Sequence, residues 1–397
     1  MVKTILRSRI LAGNSQTIAE DAGIVVENGF VTGVGKFAEV KQGIVGARTL
    51  EFDGIICPAL INSHTHLELS PFKKIPHKDF VDWVLHLVSV RYSRQYSDVR
   101  SECVEAKCQS EKLGTSYFVN VGNDFELNEF LGKNQLFQFE QIGMNVTAAE
   151  DIFKKAVSFL SGKNEIQAAL AIHGPYSTSA QLMKKIKTFN NSRNLITSVH
   201  LAETESEVEF IRFGRGRMTD LLNMRLGTGS WSFRGTGLSP VEYVDSLGIL
   251  DEKTLCVHCV FVEEKDLEIL KKRNCGIVVC VRSNRNLSGS IPDISRFMKS
   301  GIRVMLGTDS LASSPDLDMF AEMSSFYGEY HDVLNPSAVF RMATTDPSEF
   351  LGIKNLYGEI APGKSASVVF APFAEKKENV FEFLVSEAKG KTQVVSC

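Results

Sequence analysis

The sequence predicts an α/β protein: a (β/α)8, TIM-like barrel with a small β-sandwich domain formed by both ends of the chain. Three observations predict it. Apolar runs alternate with helical patterns through the middle of the chain, whereas residues 3–50 and 358–372 read as short strands separated by turns. The boundaries drawn from these patterns are 1–55 and 356–397 for the small domain and 56–355 for the barrel.

The small domain comes first. "TILRSRILAG" and "AGIVVENGFVTGVG" alternate apolar and polar positions, and Asn28-Gly29 between apolar stretches is a two-residue hairpin signal, because both residues tolerate positive φ. The stretch "GEIAPGKSASVVFAP", Gly358 to Pro372, reads alike, with Pro362-Gly363 as its turn. Strand-rich ends flanking a different middle predict one sheet domain assembled from both.

The barrel strands follow in order: residues 54–64, 115–122, 136–143, 166–174, 195–203, 254–260, 275–281 and 302–309. Continuous apolarity marks strands covered on both faces, as in a parallel sheet. Between them lie amphipathic stretches such as "FVDWVLHLVSVRYSR", "SAQLMKKIKTF" and "EKDLEILKKR". This alternation fits a closed barrel better than an open sheet.

Composition narrows the function. The 397 residues are 43% hydrophobic and 23% charged with a formal net charge of −3, which provides no electrostatic footprint for nucleic acid. No apolar run reaches membrane-spanning length, and the start "MVKTILRSRILAG" lacks a signal-peptide core. The 8 cysteines are scattered, which predicts a reducing, cytoplasmic home, and Cys256 and Cys259 in "CVHC" read as two small core residues. The expected partner is a small molecule, with neither nucleic acid nor membrane. A homodimer is the default expectation for the assembly.

The chemistry begins at "INSHTHLELS", residues 61–70. Side chains at i and i+2 of a strand share a side, so His64 and His66 converge at the strand's end. His173 ends the fourth run, His200 the fifth, His258 lies late in the sixth and Asp309 closes the eighth. Barrel active sites are built at that face from the ends of several strands. Imidazoles with one carboxylate and an open position hold a divalent metal and lower the pKa of a bound water towards neutrality. Zinc is the default ion for such a set, and iron or manganese also fits. The fourth run has no lysine of the kind that bridges two metals, so one ion is expected. Glu203, three residues after His200, is placed to shuttle protons. His77, His86 and His331 fall in loop or helical contexts and are assigned packing or surface roles.

Taken together, "HTH", "HLAE", "VHC", "CVRSN" and "LGTDSLAS" resemble the amidohydrolase superfamily, in its branch of metal-dependent deaminases and chlorohydrolases. The resemblance runs nearly end to end, since "GEIAPGKSASVVF" is similar to that family's C-terminal sandwich strand. It implies His64, His66, His200 and Asp309 as metal ligands, Glu203 as the proton-shuttling acid and His258 as the group that orients the hydrolytic water. Asp309 also takes the water's proton in that family. The family's "CPxSN" has Val281 in place of proline, leaving Ser283 and Asn284 as substrate-side residues. Within the branch, "HTHLELS", "HGPYSTS", "LSPVEYVDSLGIL" and "GTDSLASSPDLDMF" look most like aminodeoxyfutalosine deaminases of the alternative menaquinone route, and relatives acting on adenosine or S-adenosylhomocysteine. That likeness implies Asp82 and His173 as substrate contacts and Trp83 as a pocket wall.

The implied reaction is hydrolytic deamination of a 6-aminopurine nucleoside by a metal-activated hydroxide. Two alternatives stand beside it: hydrolysis of another aminated or chlorinated heterocycle (guanine, cytosine, a triazine), and a barrel that only binds. Residues 210–236 read as a long connection after the fifth strand, carrying Arg212, Arg215, Arg217, Arg225 and Arg234. Long loops at a barrel mouth are often functional, and a guanidinium fork suits a substrate carboxylate.

Overall fold

The computed structural model describes residues 3–42, 44–73, 75–91, 96–161, 167–226 and 233–395, the side chains of residues 96–98 and 377 excepted. Two sheets carry the fold. Strands β1 (Thr4–Ala12), β2 (Ile18–Glu27), β3 (Phe30–Lys36) and β4 (Arg48–Pro58) join two late strands, β13 (Val368–Pro372) and β14 (Gln393–Val394), in a six-stranded mixed sheet. The order is β14-β13-β4-β1-β2-β3, with β1 and β4 parallel. Both ends of the chain therefore build one sheet. Asn28 and Gly29 take φ of 54° and 79°, and Glu27 pairs directly with Phe30, as a two-residue hairpin turn requires. Leu6, Ile24, Val26, Ile56 and Val368 form the buried cluster of this sheet.

The second sheet has eight strands in chain order: β5 (Leu60–Thr65), β6 (Thr115–Gly122), β7 (Gln135–Gln141), β8 (Gln167–Ile172), β9 (Thr197–Leu201), β10 (Thr254–His258), β11 (Gly276–Val279) and β12 (Arg303–Leu306). Its ends meet: Thr65 bridges in parallel to Asp309, and the Thr308 and Asp309 N–H groups both donate to the His64 carbonyl. This is the expected eight-stranded barrel. Helices Phe80–Arg91, Ala180–Ser192 and Glu264–Arg273 occupy the three amphipathic stretches. The second is capped by the Ser179 hydroxyl accepting Leu182 N–H, and the third ends at Asn274 in the left-handed conformation.

Two expectations are corrected. The run 54–64 is not one strand: it serves both sheets and breaks at Pro58, which has no N–H for a continuing ladder. After it, the Leu60 N–H turns to the Gly114 carbonyl, and β5 starts. Residues 210–236 are not a long connection either. They include the end of helix Glu205–Phe213 and the whole of helix Arg217–Leu226, and residues 227–232 lie outside the described part. Phe210, Ile211, Met218, Leu221 and Leu222 are all buried at helical spacing, while Gly214 at φ 65° stops the first helix.

The chain divides into two compact units: Met1–Ser63 with Cys108–Phe118 and Asp318–Cys397, and His64–Lys107 with Val119–Leu317. Every candidate site residue belongs to the second unit. Cys256 and Cys259 are fully buried free thiols, in keeping with a core role. Among the described residues no helix is long and apolar enough to cross a membrane.

Candidate active site

The i, i+2 geometry of the first barrel strand brings His64 and His66 together, with ring centroids 4.8 Å apart. His200 at the end of β9 lies 5.0 Å from His64 and 5.2 Å from His66 by the same measure, and His258 at the end of β10 lies 5.8 Å from His64. Asp309 follows β12, its Oδ1 being 3.9 Å from His64 Nε2 and 3.8 Å from His66 Nε2. All five are buried. Their ligand atoms fall into overlapping groups within 4.8 Å, His64/His66/Asp309 and His64/His200/His258, with Glu140 joining His66 and His200 in a third.

Backbone strain aims these groups. His258 and Asp309 have φ of 77° and 59°, a region that residues with a Cβ seldom adopt, and Ala202 sits at 51° beside His200. Hydrogen bonds over-determine the bends: Cys259 N–H donates to Leu201 O, Phe261 N–H to Ala202 O and Asp309 N–H to His64 O.

Proton positions follow from the partners. His200 Nδ1 donates to the His173 carbonyl at 2.6 Å, so its proton is committed there and the Nε2 lone pair points inward. His66 donates to the backbone of Val121. The two Nε2 atoms, both lone-pair bearing in neutral rings, then face each other at 3.1 Å, which a cation between them would resolve. Burial, followed by the charges of neighbouring histidines, holds His64 well below the ordinary imidazole range. Burial foremost also lowers His200 to about 4 and His258 to about 3. Neutral imidazoles beside a carboxylate are the donor set of a divalent metal, and the residues present fit one.

Two carboxyl groups in this site are pushed in opposite directions. Burial works to raise Asp309, but His66, His258, the Ser283 hydroxyl and His200 together hold it below the ordinary carboxylate range. Glu203 is pushed well above it by burial, then by the charges of Asp309 and Glu207. Such a split is the pattern by which two carboxyl groups in one site take different roles. Asn284 Nδ2 donates to His258 Nδ1 at 2.9 Å, which leaves that ring's proton on Nε2, 3.5 Å from Glu203 Oε1.

The site forms the floor of a cavity of about 460 Å³ lined by His66, His173, His200, Glu203, His258 and Asp309. Apolar walls come from Phe80, Trp83, Leu87, Met144, Tyr176 and Leu221. Trp83 is buried with Nε1 donating to Ala312 O, and His173 Nδ1 meets Ser177 Oγ at 2.6 Å. Ser283 and Asn284 are fully buried behind Asp309 and His258, and Asp82 does not line the cavity: its carboxylate accepts the Lys78 N–H at 3.0 Å. A carboxylate in the first turn of a helix commonly accepts a nearby backbone N–H in this way.

Sequence reading missed three residues. Glu140 at the end of β7 is buried, lines the cavity and lies 3.6 Å from His200 Nδ1. Glu207 accepts the Ala202 and Glu203 N–H groups, one with each oxygen. Ser313 donates to Asp309 Oδ2 at 2.9 Å. A charged residue closing an apolar run, as in "LFQFEQ", was the available signal for Glu140.

Known proteins resemble this chain in sequence and in fold. The chain is 26% identical over 375 residues to a 5-methylthioadenosine/S-adenosylhomocysteine deaminase of Pelotomaculum thermopropionicum, covering 90% of this chain and 81% of that one. The Helicobacter pylori aminofutalosine deaminase bound to methylthio-coformycin superposes with a TM-score of 0.85 at 22% identity, over 98% of this chain and 97% of that one. A zinc-bound adenosine deaminase of Xanthomonas campestris gives 0.83 at 19%, over 99% and 90%. Residues 145–391 match the model of the amidohydrolase family. With that match spanning more than half of the sequence, and with a His/Asp metal site at the mouth of a (β/α)8 barrel, the chain belongs to the amidohydrolase family.

Proposed function

We propose that this protein hydrolytically deaminates a 6-aminopurine nucleoside, using one divalent ion, zinc by preference, held by His64, His66, His200 and Asp309. One observation carries the reading. Neutral imidazoles, an ionised carboxylate and a proton-bearing glutamate meet on the floor of a cavity with apolar walls. Its relatives support the substrate class, since deaminases of adenine nucleosides recur among them under names that share the same base.

A divalent cation held by His64, His66, His200 and Asp309 would supply the lowering of a water's pKa that makes it a nucleophile near neutrality. The protein's own groups do the rest. Glu203 delivers a proton to the ring nitrogen next to the attacked carbon, takes the proton of the incoming water and passes it to the departing amine. His258, its Nε2–H facing the same space, donates to the developing oxygen. Trp83, Phe80 and Leu87 exclude bulk water and offer flat apolar surface to a purine. In balance, a C6–N bond is exchanged for a C6–O bond, the amine leaves as ammonia, and the second proton of the water returns to Glu203 as C6–OH becomes the carbonyl, restoring the acid.

The test is ammonia release by metal-quantified protein on adenosine, methylthioadenosine, S-adenosylhomocysteine, aminodeoxyfutalosine, guanine, cytosine and a chlorotriazine, with Glu203→Gln as control. Turnover confined to the aminopurine nucleosides and lost in the control is expected. Chloride release from the triazine, or silence across the panel with metal bound, would replace this reading.

A further inference from the structure

Among the described residues two arginines line the cavity, Arg91 and Arg225. Their electrostatic situations differ. Arg91 Nη2 donates to Glu68 Oε1 at 2.8 Å, so its charge is already matched by a buried carboxylate. Arg225, in the last turn of helix Arg217–Leu226, has no hydrogen-bond or ion-pair partner among the described residues. Neighbouring arginines are engaged: Arg212 with Glu263 at 2.7 Å, Arg215 with Glu209 at 3.3 Å and Arg217 with Asp79 at 3.2 Å. Arg234 does not line the cavity.

Arg225 is exposed at the rim, yet its charge reaches His173 and Tyr176 in the cavity wall. The surface leading to it is apolar. Leu221, Leu222 and Leu226 on its own helix line the same cavity as Ile142 and Met144, and Ile142 and Leu226 are 39% and 38% exposed. A lone guanidinium beyond an apolar collar is complementary to a ligand arm that is apolar along its length and anionic at its tip. A fork of donors on a planar cation matches a carboxylate in particular.

Resting on the deaminase reading above, we infer that Arg225 is a specificity-determining residue that receives a carboxylate at the end of the nucleoside's 5′ substituent. The purine end occupies the floor near Glu203, and the arm runs along the leucines of helix Arg217–Leu226. A phosphate attached directly at the 5′ carbon shares the anionic chemistry but lacks the apolar spacer, so a nucleotide is the discriminating comparison.

The experiment measures kcat and KM for S-adenosylhomocysteine and aminodeoxyfutalosine, which carry carboxylates, and for methylthioadenosine and AMP, which do not. Unmodified protein, Arg225→Ala, Arg225→Lys and the surface control Arg215→Ala are compared. The expected result is a roughly 10- to 100-fold rise in KM for a carboxylated substrate in Arg225→Ala, with kcat little changed, as for loss of a charged hydrogen bond. The ratio of kcat/KM between carboxylated substrate and methylthioadenosine should collapse in Arg225→Ala, recover in part in Arg225→Lys and stay at the unmodified value in Arg215→Ala. A ratio unmoved by Arg225→Ala, or a preference for AMP over both carboxylated nucleosides, overturns the inference while leaving the deaminase reading intact. If no nucleoside is turned over, the deaminase reading falls, and the arginine is judged by calorimetry of S-adenosylhomocysteine against methylthioadenosine. There, equal effects of Arg225→Ala on both affinities would overturn it too.

Discussion

The Ser283 hydroxyl donates to Asp309 Oδ2 at 2.5 Å, and Ser313 donates to the same oxygen at 2.9 Å, so that Oδ1 alone is left to face His64 and His66. Two hydroxyls on one oxygen fix which carboxylate lone pair a metal would meet. The Ser283 hydroxyl is thereby engaged by Asp309. Removing it in Ser283→Ala frees the carboxylate to rotate, and losses of this kind lower metal affinity by about 10- to 100-fold. Titration of apoprotein with zinc should show the weakened affinity, with KM for the nucleoside little altered in the metal-saturated enzyme. A large KM effect with normal metal affinity would return Ser283 to the substrate.

Glu203 lies 3.5 Å from His258 Nε2, and burial pushes its carboxyl well above the ordinary carboxylate range. Glu203→Gln keeps the volume and hydrogen-bonding capacity but cannot carry a proton back and forth. Because the glutamate is not in the ligand cluster, metal content should stay at the unmodified level. Turnover should fall by about 10²- to 10⁴-fold, the usual contribution of a positioned acid-base group. Metal analysis alongside kcat separates the two effects, and a variant that loses both together would make Glu203 a ligand instead.

Glu207 titrates with consequences for folding. Burial raises it to about 7, against the opposing pull of the Glu203, Ala202 and Thr204 N–H groups. The folded state therefore binds this proton more tightly than the unfolded chain does. Its stabilising contribution is fully present below the ordinary glutamate pKa and is lost as pH rises through about 7. Glu207→Gln removes the titration. The unfolding free energy of the natural protein should decline between pH 5 and pH 8 relative to the variant by on the order of 3 kcal/mol. Parallel pH curves for the two proteins would mean that Glu207 is not held neutral in the folded state.

Much of this was legible in the sequence for a physical reason. A polar residue at the end of a continuously apolar run stands out, and His64, His66, His200, His258 and Asp309 all have that signature. What failed needed three dimensions. The run 54–64 is buried throughout Gly54–His64, so composition gives no sign that two sheets share it, and only Pro58 punctuates it. The hydrogen bonds of Ser283 to Asp309, Asn284 to His258 and Asp82 to the Lys78 N–H were not legible, because a side chain's aim depends on strain and capping bonds that one-dimensional spacing does not encode. Arg225 became distinct from its neighbours only once the fold placed Arg212, Arg215 and Arg217 against surface carboxylates.

Closure of the barrel and integrity of the site converge on Gly307. The chain after β12 must come close enough to β5 for Thr308 and Asp309 to donate to His64 O. A Cβ at Gly307 would stand 2.8 Å from both the backbone nitrogen and the carbonyl oxygen of His64, and 2.9 Å from its Cβ. None of these atoms can swing aside without breaking the closure or moving the imidazole. Gly307→Ala should therefore lose about 1–3 kcal/mol of stability by overpacking, and part of its metal affinity with it. Gly328, within helix Met319–Tyr330 and with open space where a Cβ would go, makes the contrasting case. There alanine should stabilise by about 0.5–1 kcal/mol, since it stiffens the unfolded chain and favours the helix. Thermal denaturation of both variants, with zinc content measured on the same samples, checks the pair. Gly307→Ala with an unmoved melting temperature and full zinc would show that the seam between β5 and β12 is slack, and that some other element fixes His64.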